Sequence, residues 1–229
     1  MARPLVIFDL DGTLLDTAPD LLRALNTVLA EAGMPAVDRS SVEYNFGHGA
    51  KSLIVEGFRR AGHALSDDEV EPYVRRFLDL YAAGVAVDTE AFPGAVAAMD
   101  RLADRGVGFA VCTNKREYLA RPLLRQLDLL DRFDAVIGGD TLPVRKPDPQ
   151  HILSTIEAAA AEVTQAVMVG DSDADIKAAK AAGIPVIGVN FGYSPVPVST
   201  FEPDAVIDHF DDLYDALQQV SPAFRTALG

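Results

Sequence analysis

The chain has 229 residues, 49% hydrophobic and 24% charged, the balance of a soluble globular protein of one or two domains. Its formal charge of −14 excludes nucleic acid as a natural partner, because backbone binding needs a basic face. No apolar run reaches the ~18 residues that span a bilayer, so no membrane partner is expected.

The first apolar run, Leu5–Asp9, reads as a buried strand and is too short, and too quickly followed by acids, to be a signal peptide. The expected location is cytoplasmic. The single cysteine, Cys112, excludes an internal disulfide and fits a reducing compartment. Further strands are predicted at Val107–Thr113, Ala135–Ile137, Ala166–Val169, Pro185–Val189 and Ala205–Ile207. Their nearly continuous apolar character suits parallel strands covered on both faces. Helices are predicted between most of them. Ala95–Arg105 stops at Gly106, Glu117–Leu127 precedes the third strand, Pro149–Ala161 starts after Asp148, and Ala174–Ala182 stops at Gly183. Strand–helix alternation predicts an α/β, Rossmann-like doubly wound parallel sheet.

From about Asp20 to Ala86 the alternation breaks. Three apolar stripes at helical spacing fill this segment: Leu21, Leu22, Leu25, Val28, Leu29; Leu53, Ile54, Phe58; and Val74, Phe77, Leu78, Tyr81. The chain therefore divides into a Rossmann-like catalytic core, residues 1–17 and 88–229, and an inserted α-helical cap domain, residues 18–87. The tail Ser221–Gly229 lacks a clear pattern and is expected to be loosely ordered.

Four polar clusters punctuate the strand ends and helix starts. Asp9-Leu10-Asp11-Gly12-Thr13 follows the first strand and brings two carboxylates to one turn. Read alone, it is either a solvated acidic turn or a converging acid pair. Thr113-Asn114-Lys115 ends the second strand, where a hydroxyl and an amide can bond phosphate oxygens or merely terminate the strand. Arg145-Lys146-Pro147-Asp148-Pro149 holds a cation in a stiffened loop before a helix. Gly170-Asp171-Ser172-Asp173-Ala174-Asp175 places acids at a helix start, as a cap, a metal-binding group, or both.

In order and spacing, DxDGT, TN, the Lys of a KPxP loop and GDSxxD resemble the four motifs of the haloacid dehalogenase superfamily, over Leu5 to about Leu217. The resemblance implies a Mg²⁺-dependent phosphatase in which Asp9 attacks phosphorus and forms an aspartyl-phosphate. It implies that Asp11 protonates the leaving alcohol and then deprotonates water. Its implied metal ligands are Asp9, the Asp11 carbonyl and Asp171, with Asp175 supporting or completing the shell. It assigns the phosphoryl oxygens to Thr113, Asn114 and Lys146. An Asp at position 11 argues for a phosphatase or phosphomutase over a dehalogenase.

The helical insertion is of the type found in phosphoglycolate phosphatases, and Gly47-His48-Gly49 with Lys51 resembles their cap loop facing the active site. The implied substrate is a small phosphorylated metabolite, 2-phosphoglycolate first. Pyrophosphate, sugar phosphates and a β-phosphoglucomutase-like reaction stay open, and the full acid set argues against a non-catalytic binding module. Monomer and homodimer are both compatible with the sequence. Cys112 is expected to be a buried small hydrophobe. His63, His151 and His209 lack metal-ligand spacing and are read as surface or core residues. Asp16 and Asp20 are read as polar groups of the link into the cap, and Asp211-Asp212 as a helix start.

Overall fold

The fold is a computed structural model that describes residues 3–229, apart from the side chain of His48. In chain order the elements are β1 (Leu5–Phe8), β2 (Leu15–Asp16), α1 (Ala18–Glu31), α2 (Arg39–Val42), α3 (Ala50–Arg60), α4 (Asp67–Ala82), β3 (Glu90–Ala91), α5 (Ala95–Ala103), β4 (Gly108–Cys112), α6 (Glu117–Gln126), β5 (Ala135–Ile137), α7 (Pro149–Ala158), β6 (Ala166–Gly170), α8 (Asp173–Ala182), β7 (Val186–Val189), β8 (Ala205–Ile207), α9 (Leu213–Val220) and α10 (Pro222–Leu228). Six strands form one parallel sheet in the order β5-β4-β1-β6-β7-β8. The six strands expected from apolar runs are these six, each within one residue of its expected ends.

β1 lies at the centre, with Leu5 in register with Gly108 of β4 on one side and with Ala166 of β6 on the other. Both its faces are buried, which explains why its sequence is apolar without alternation. Val6 and Phe8 join one core cluster with α5, α6, α9 and the helical insertion. Leu5 and Ile7 join a second, with Ile152 and Ile156 of α7 and Ile176 and Ala179 of α8. The chain builds outward from β1 through β4 and β5, then returns to β6 on the opposite side. That reversal makes the carboxyl end of β1 the switch point of the sheet, where open α/β sheets bind ligands.

The insertion after β1 is helical, as its three stripes predict. Leu21, Leu25, Val28, Leu29, Leu53, Ile54, Phe58, Val74, Phe77 and Tyr81 are all buried. Leu22 and Leu78 sit at the edge of the same core. α4 starts at a capping box in which Ser66 and Glu69 satisfy each other's groups at the helix start. The insertion leaves and re-enters the core through a short antiparallel ribbon, Leu15 opposite Ala91 and Asp16 opposite Glu90. With two residues per strand, this ribbon carries no readable periodicity.

Asp20 braces the same junction. Its carboxylate is out of water and accepts the backbone N–H groups of Val87, Asp88 and Thr89, the Thr89 hydroxyl and the Arg23 guanidinium. The expectation of a loose C-terminus is wrong. Pro222–Leu228 is a helix with Phe224 and Leu228 buried, and the Tyr214 hydroxyl donates to Leu228 O. Two anchors four residues apart sufficed to dock a helix too short to declare itself by period. Among the described residues no helix is long and apolar enough to cross a membrane.

Candidate active site

Asp9 is the first residue past β1, and its backbone N–H still bonds Val169 O, so the strand's pairing fixes where its side chain starts. Gly12 then turns the chain at φ +84°, a conformation that favours glycine. A Cβ there would lie 2.6 Å from Asp171 Oδ2, so only glycine lets this turn approach the loop after β6. Gly192 serves the opposite wall, where a Cβ would lie 2.3 Å from Asp171 Cβ.

These turns bring carboxylate oxygens of Asp9, Asp171 and Asp175 within 4.8 Å of one another, all on buried residues. Lys146 enters from the loop before α7. Its Nζ donates to Asp175 Oδ1 at 2.6 Å and to Cys112 O at 2.6 Å, and lies 2.9 Å from Asp9 Oδ1. The last contact is an ion pair without hydrogen-bond alignment, and Asp9 Oδ1 is a buried oxygen with no hydrogen-bond partner. Asp175 is fully engaged, its Oδ2 accepting the Ser172 backbone N–H and hydroxyl at 3.0 and 2.5 Å. Ser172 and Asp175 together form the capping box of α8. Asp171 accepts the Tyr193 N–H at 2.7 Å and the Thr13 hydroxyl at 3.3 Å.

The electrostatics of this cluster are unbalanced. Three carboxylates face a single ammonium, which leaves two negative charges in a buried volume when all are ionised. Burial, the Asp175 charge and the Asp11 charge push the Asp9 carboxyl up to about 6 against the opposing pull of Lys146. Burial, with the charges of Asp175 and Asp9, raises Asp171 well above the ordinary carboxylate range. A set of hard oxygen donors, one of them without a hydrogen bond, and an excess of two negative charges fit a divalent cation such as Mg²⁺.

Asp11 points elsewhere. Its Oδ1 accepts the Thr17 hydroxyl at 2.7 Å, and Lys115 Nζ contacts its two oxygens at 2.8 and 3.2 Å. Thr113 is buried and its hydroxyl accepts the Lys115 N–H. Asn114 donates one of its two amide N–H groups to Lys146 O at 3.0 Å, which ties it to the Lys146 loop. His151 holds that loop from the other side. Its Nδ1 accepts the Lys146 N–H at 3.2 Å and its Nε2 faces Gly138 O at 3.1 Å. Burial, then the Lys146 charge, push its imidazole down to about 4, so it stands neutral with Nε2 protonated.

The insertion's loop meets the acids only in part. Gly47 lines a cavity of about 220 Å³ with Tyr44, Asp171, Ser172, Tyr193 and Val196. Lys51 points to solvent and pairs with exposed Asp67 at 3.2 Å. The expected role of the His48 side chain lies outside the described residues. Cys112 is buried, as expected, with its thiol pushed up to about 11 by burial.

Three contributors escaped the motif reading. Lys115 stands inside a recognised cluster, but a lysine beside Thr and Asn reads as an ordinary surface cation. Tyr193 lies in a loop with no motif; its hydroxyl bonds Asp16 while its N–H bonds Asp171. His151 was discounted for want of metal-ligand spacing, and its partners are backbone groups that leave no trace in spacing.

This is the fold of the haloacid dehalogenase-like hydrolases. That family's model matches residues 6–189, and the chain belongs to the family. The phosphoglycolate phosphatase of Agrobacterium fabrum is 45% identical over 214 residues, covering 93% of this chain and 92% of the relative. That of Caulobacter vibrioides is 42% identical over 226 residues, covering 97% and 95%. A solved structure of a predicted phosphoglycolate phosphatase from Haemophilus somnus 129pt superposes with a TM-score of 0.86 at 30% identity, over 94% of this chain and 98% of that one.

Proposed function

We propose that the protein hydrolyses 2-phosphoglycolate to glycolate and inorganic phosphate through an aspartyl-phosphate on Asp9, with Mg²⁺ as cofactor. The observation that carries this reading is the state of Asp9: a buried carboxylate at the switch point whose Oδ1 faces Lys146 at 2.9 Å and has no hydrogen bond. Such an oxygen is held in place but not consumed. The names of relatives at 42–45% identity direct the choice of ester.

Asp9 attacks phosphorus, the bond from phosphorus to the glycolate oxygen breaks, and Asp11 gives that oxygen its proton. Water then attacks the aspartyl-phosphate, Asp11 takes the water's proton, and phosphate leaves with the Asp9 carboxylate restored. Lys146 neutralises charge between Asp9 and the phosphoryl oxygens, assisted by Thr113. Asn114 and His151 keep the Lys146 loop in position. Asp9 and Asp171, with the Asp11 carbonyl, would hold Mg²⁺, and Asp175 supports the set through Lys146. When bound, the cation neutralises the acid cluster and lets a carboxylate and a phosphate approach each other. The insertion, residues 18–87, acts as a cap that shapes the substrate side of the cavity through Gly47.

The test is kcat/KM across 2-phosphoglycolate, pyrophosphate, sugar phosphates and nucleotides with Mg²⁺ and with EDTA. The expected result is highest kcat/KM for 2-phosphoglycolate, no turnover in EDTA, and loss of turnover in a folded Asp9→Asn variant. Preference for another ester overturns the substrate; full activity of Asp9→Asn overturns the nucleophile.

A further inference from the structure

The chain has five lysines, and three of them are 44–64% exposed in their side chains. The two that are buried each face one acid of the first motif: Lys146 faces Asp9, and Lys115 faces Asp11 with only 5% of its side chain exposed. Lys146 is accounted for by the acids around it. Lys115 is not, because one carboxylate takes two of its three N–H donors.

Tyr81 of α4 flanks Lys115, its ring centroid 4.5 Å from Nζ. Tyr81 is 1% exposed, and its hydroxyl has no hydrogen-bond partner. A buried hydroxyl without a partner is costly, and natural structures retain one where something else completes it. Here that hydroxyl and a buried ammonium lie beside Asp11, the acid to which the proposed reaction gives the proton transfer to the departing alcohol. A cation and a hydroxyl donor in a dry site suit a carboxylate, as a charge-assisted pair.

We infer that Lys115 and the Tyr81 hydroxyl form the subsite that receives the carboxylate of the departing alcohol, making Lys115 a specificity-determining residue. The assignment rests on the reading of Asp9 and Asp11 given above and adds to it the residues that recognise the acid on the alcohol. It also explains how a chain of charge −14 accepts a substrate with two anionic groups: each group meets its own buried lysine.

The experiment compares 2-phosphoglycolate with ethyl phosphate, which lacks the carboxylate, in the wild type, Lys115→Met and Tyr81→Phe. In the wild type 2-phosphoglycolate is expected to be favoured in kcat/KM. Lys115→Met is expected to cut that preference by about 10–100-fold and Tyr81→Phe by roughly 3–10-fold. If Lys115 only orients Asp11, both esters lose activity by the same factor, the ratio stands still, and the inference is overturned. Thermal melting confirms that each variant is folded.

Binding by calorimetry with Mg²⁺ reads the subsite without chemistry, using 3-phosphonopropionate against propylphosphonate. Tighter binding of the carboxylate analogue, lost in Lys115→Met, supports the subsite even if no ester is turned over, in which case only the proposed reaction falls. Equal binding of the two analogues by the wild type overturns the subsite while leaving Asp9 untouched.

Discussion

Lys146 and Asp175 meet at 2.6 Å with 1% and 0% of their side chains exposed, an ion pair drawn wholly out of water. Such a pair is poor evidence of stability in itself, since desolvating both ions offsets their attraction, but breaking it strands a buried charge. Asp9 adds a second acid to the same ammonium. Removing Lys146 therefore leaves two buried acids without a cation. Lys146→Met is expected to lose about 3–5 kcal/mol of stability in EDTA. Asp175→Asn made in that background is expected to return part of the loss, giving a coupling of about 1–3 kcal/mol between the sites. Urea unfolding of the wild type, two single variants and the double variant measures it; strictly additive changes would show that the two side chains do not depend on each other.

The acid cluster makes stability depend on pH and metal together. Asp9 is pushed up to about 6 from an ordinary 3.8, and Asp171 is raised as well, both first of all by burial. An acid whose pKa is higher in the folded chain binds its proton more tightly there. The metal-free protein therefore loses stability as pH climbs from 3.8 towards 6, and the Asp9 contribution to that loss is complete above 6. A divalent cation relieves the repulsion only once the acids are ionised. Saturating Mg²⁺ is expected to raise Tm by roughly 5–10 °C near pH 7.5 and by less than about 2 °C near pH 5. Equal shifts at both pH values would remove the acid cluster as the binding site.

The sheet was legible because its signal is redundant. Each strand is an apolar run between polar punctuation, and burial on both faces removes any need for alternation. Asp9, Asp171 and Lys146 were legible for a similar reason: each follows a strand end or precedes a helix start, where side chains converge on the switch point. What stayed hidden works through backbone. The Tyr193 N–H on Asp171, the His151 ring on the Lys146 N–H, and the β2–β3 ribbon depend on main-chain groups that every residue carries. Lys115 stayed hidden because its partner on α4, Tyr81, reads as one more apolar-stripe position. Lys51 stands out by its place beside the glycine loop, yet it lies in the first turn of α3 and pairs outward with Asp67.

Gly12 couples the turn after β1 to the loop after β6. Any other residue there is strained at φ +84°, and its Cβ would press on Asp171 Oδ2. Gly12→Ala is expected to cost about 1–3 kcal/mol of stability and to displace the Asp171 carboxylate. The sharper readout is the Mg²⁺ concentration for half-maximal phosphatase activity, expected to rise at least tenfold, since a small displacement of a ligand weakens the metal more than the fold. An unchanged Mg²⁺ requirement would show that the loop after β6 accommodates the methyl group without moving Asp171.

Asp20 tests whether the junction of insertion and core is held by one side chain. Burial alone opposes its ionisation, but hydrogen bonds from Arg23, Thr89 and the Asp88 amide outweigh it and hold its carboxyl below the ordinary range. An acid with a lowered folded pKa contributes stability that is present above its unfolded pKa and is lost as pH falls through the folded one. Asn in its place keeps one acceptor oxygen but turns an amide N–H₂ toward donors it cannot satisfy. Asp20→Asn is therefore expected to lose about 3 kcal/mol near pH 7. The difference from the wild type should shrink as pH falls below about 4, where the carboxyl of the unfolded chain binds its proton first and the folded one follows at lower pH. Urea midpoints across that range decide it. A loss under about 0.5 kcal/mol near pH 7 would mean that the β2–β3 ribbon and the apolar core of the insertion hold the junction without Asp20.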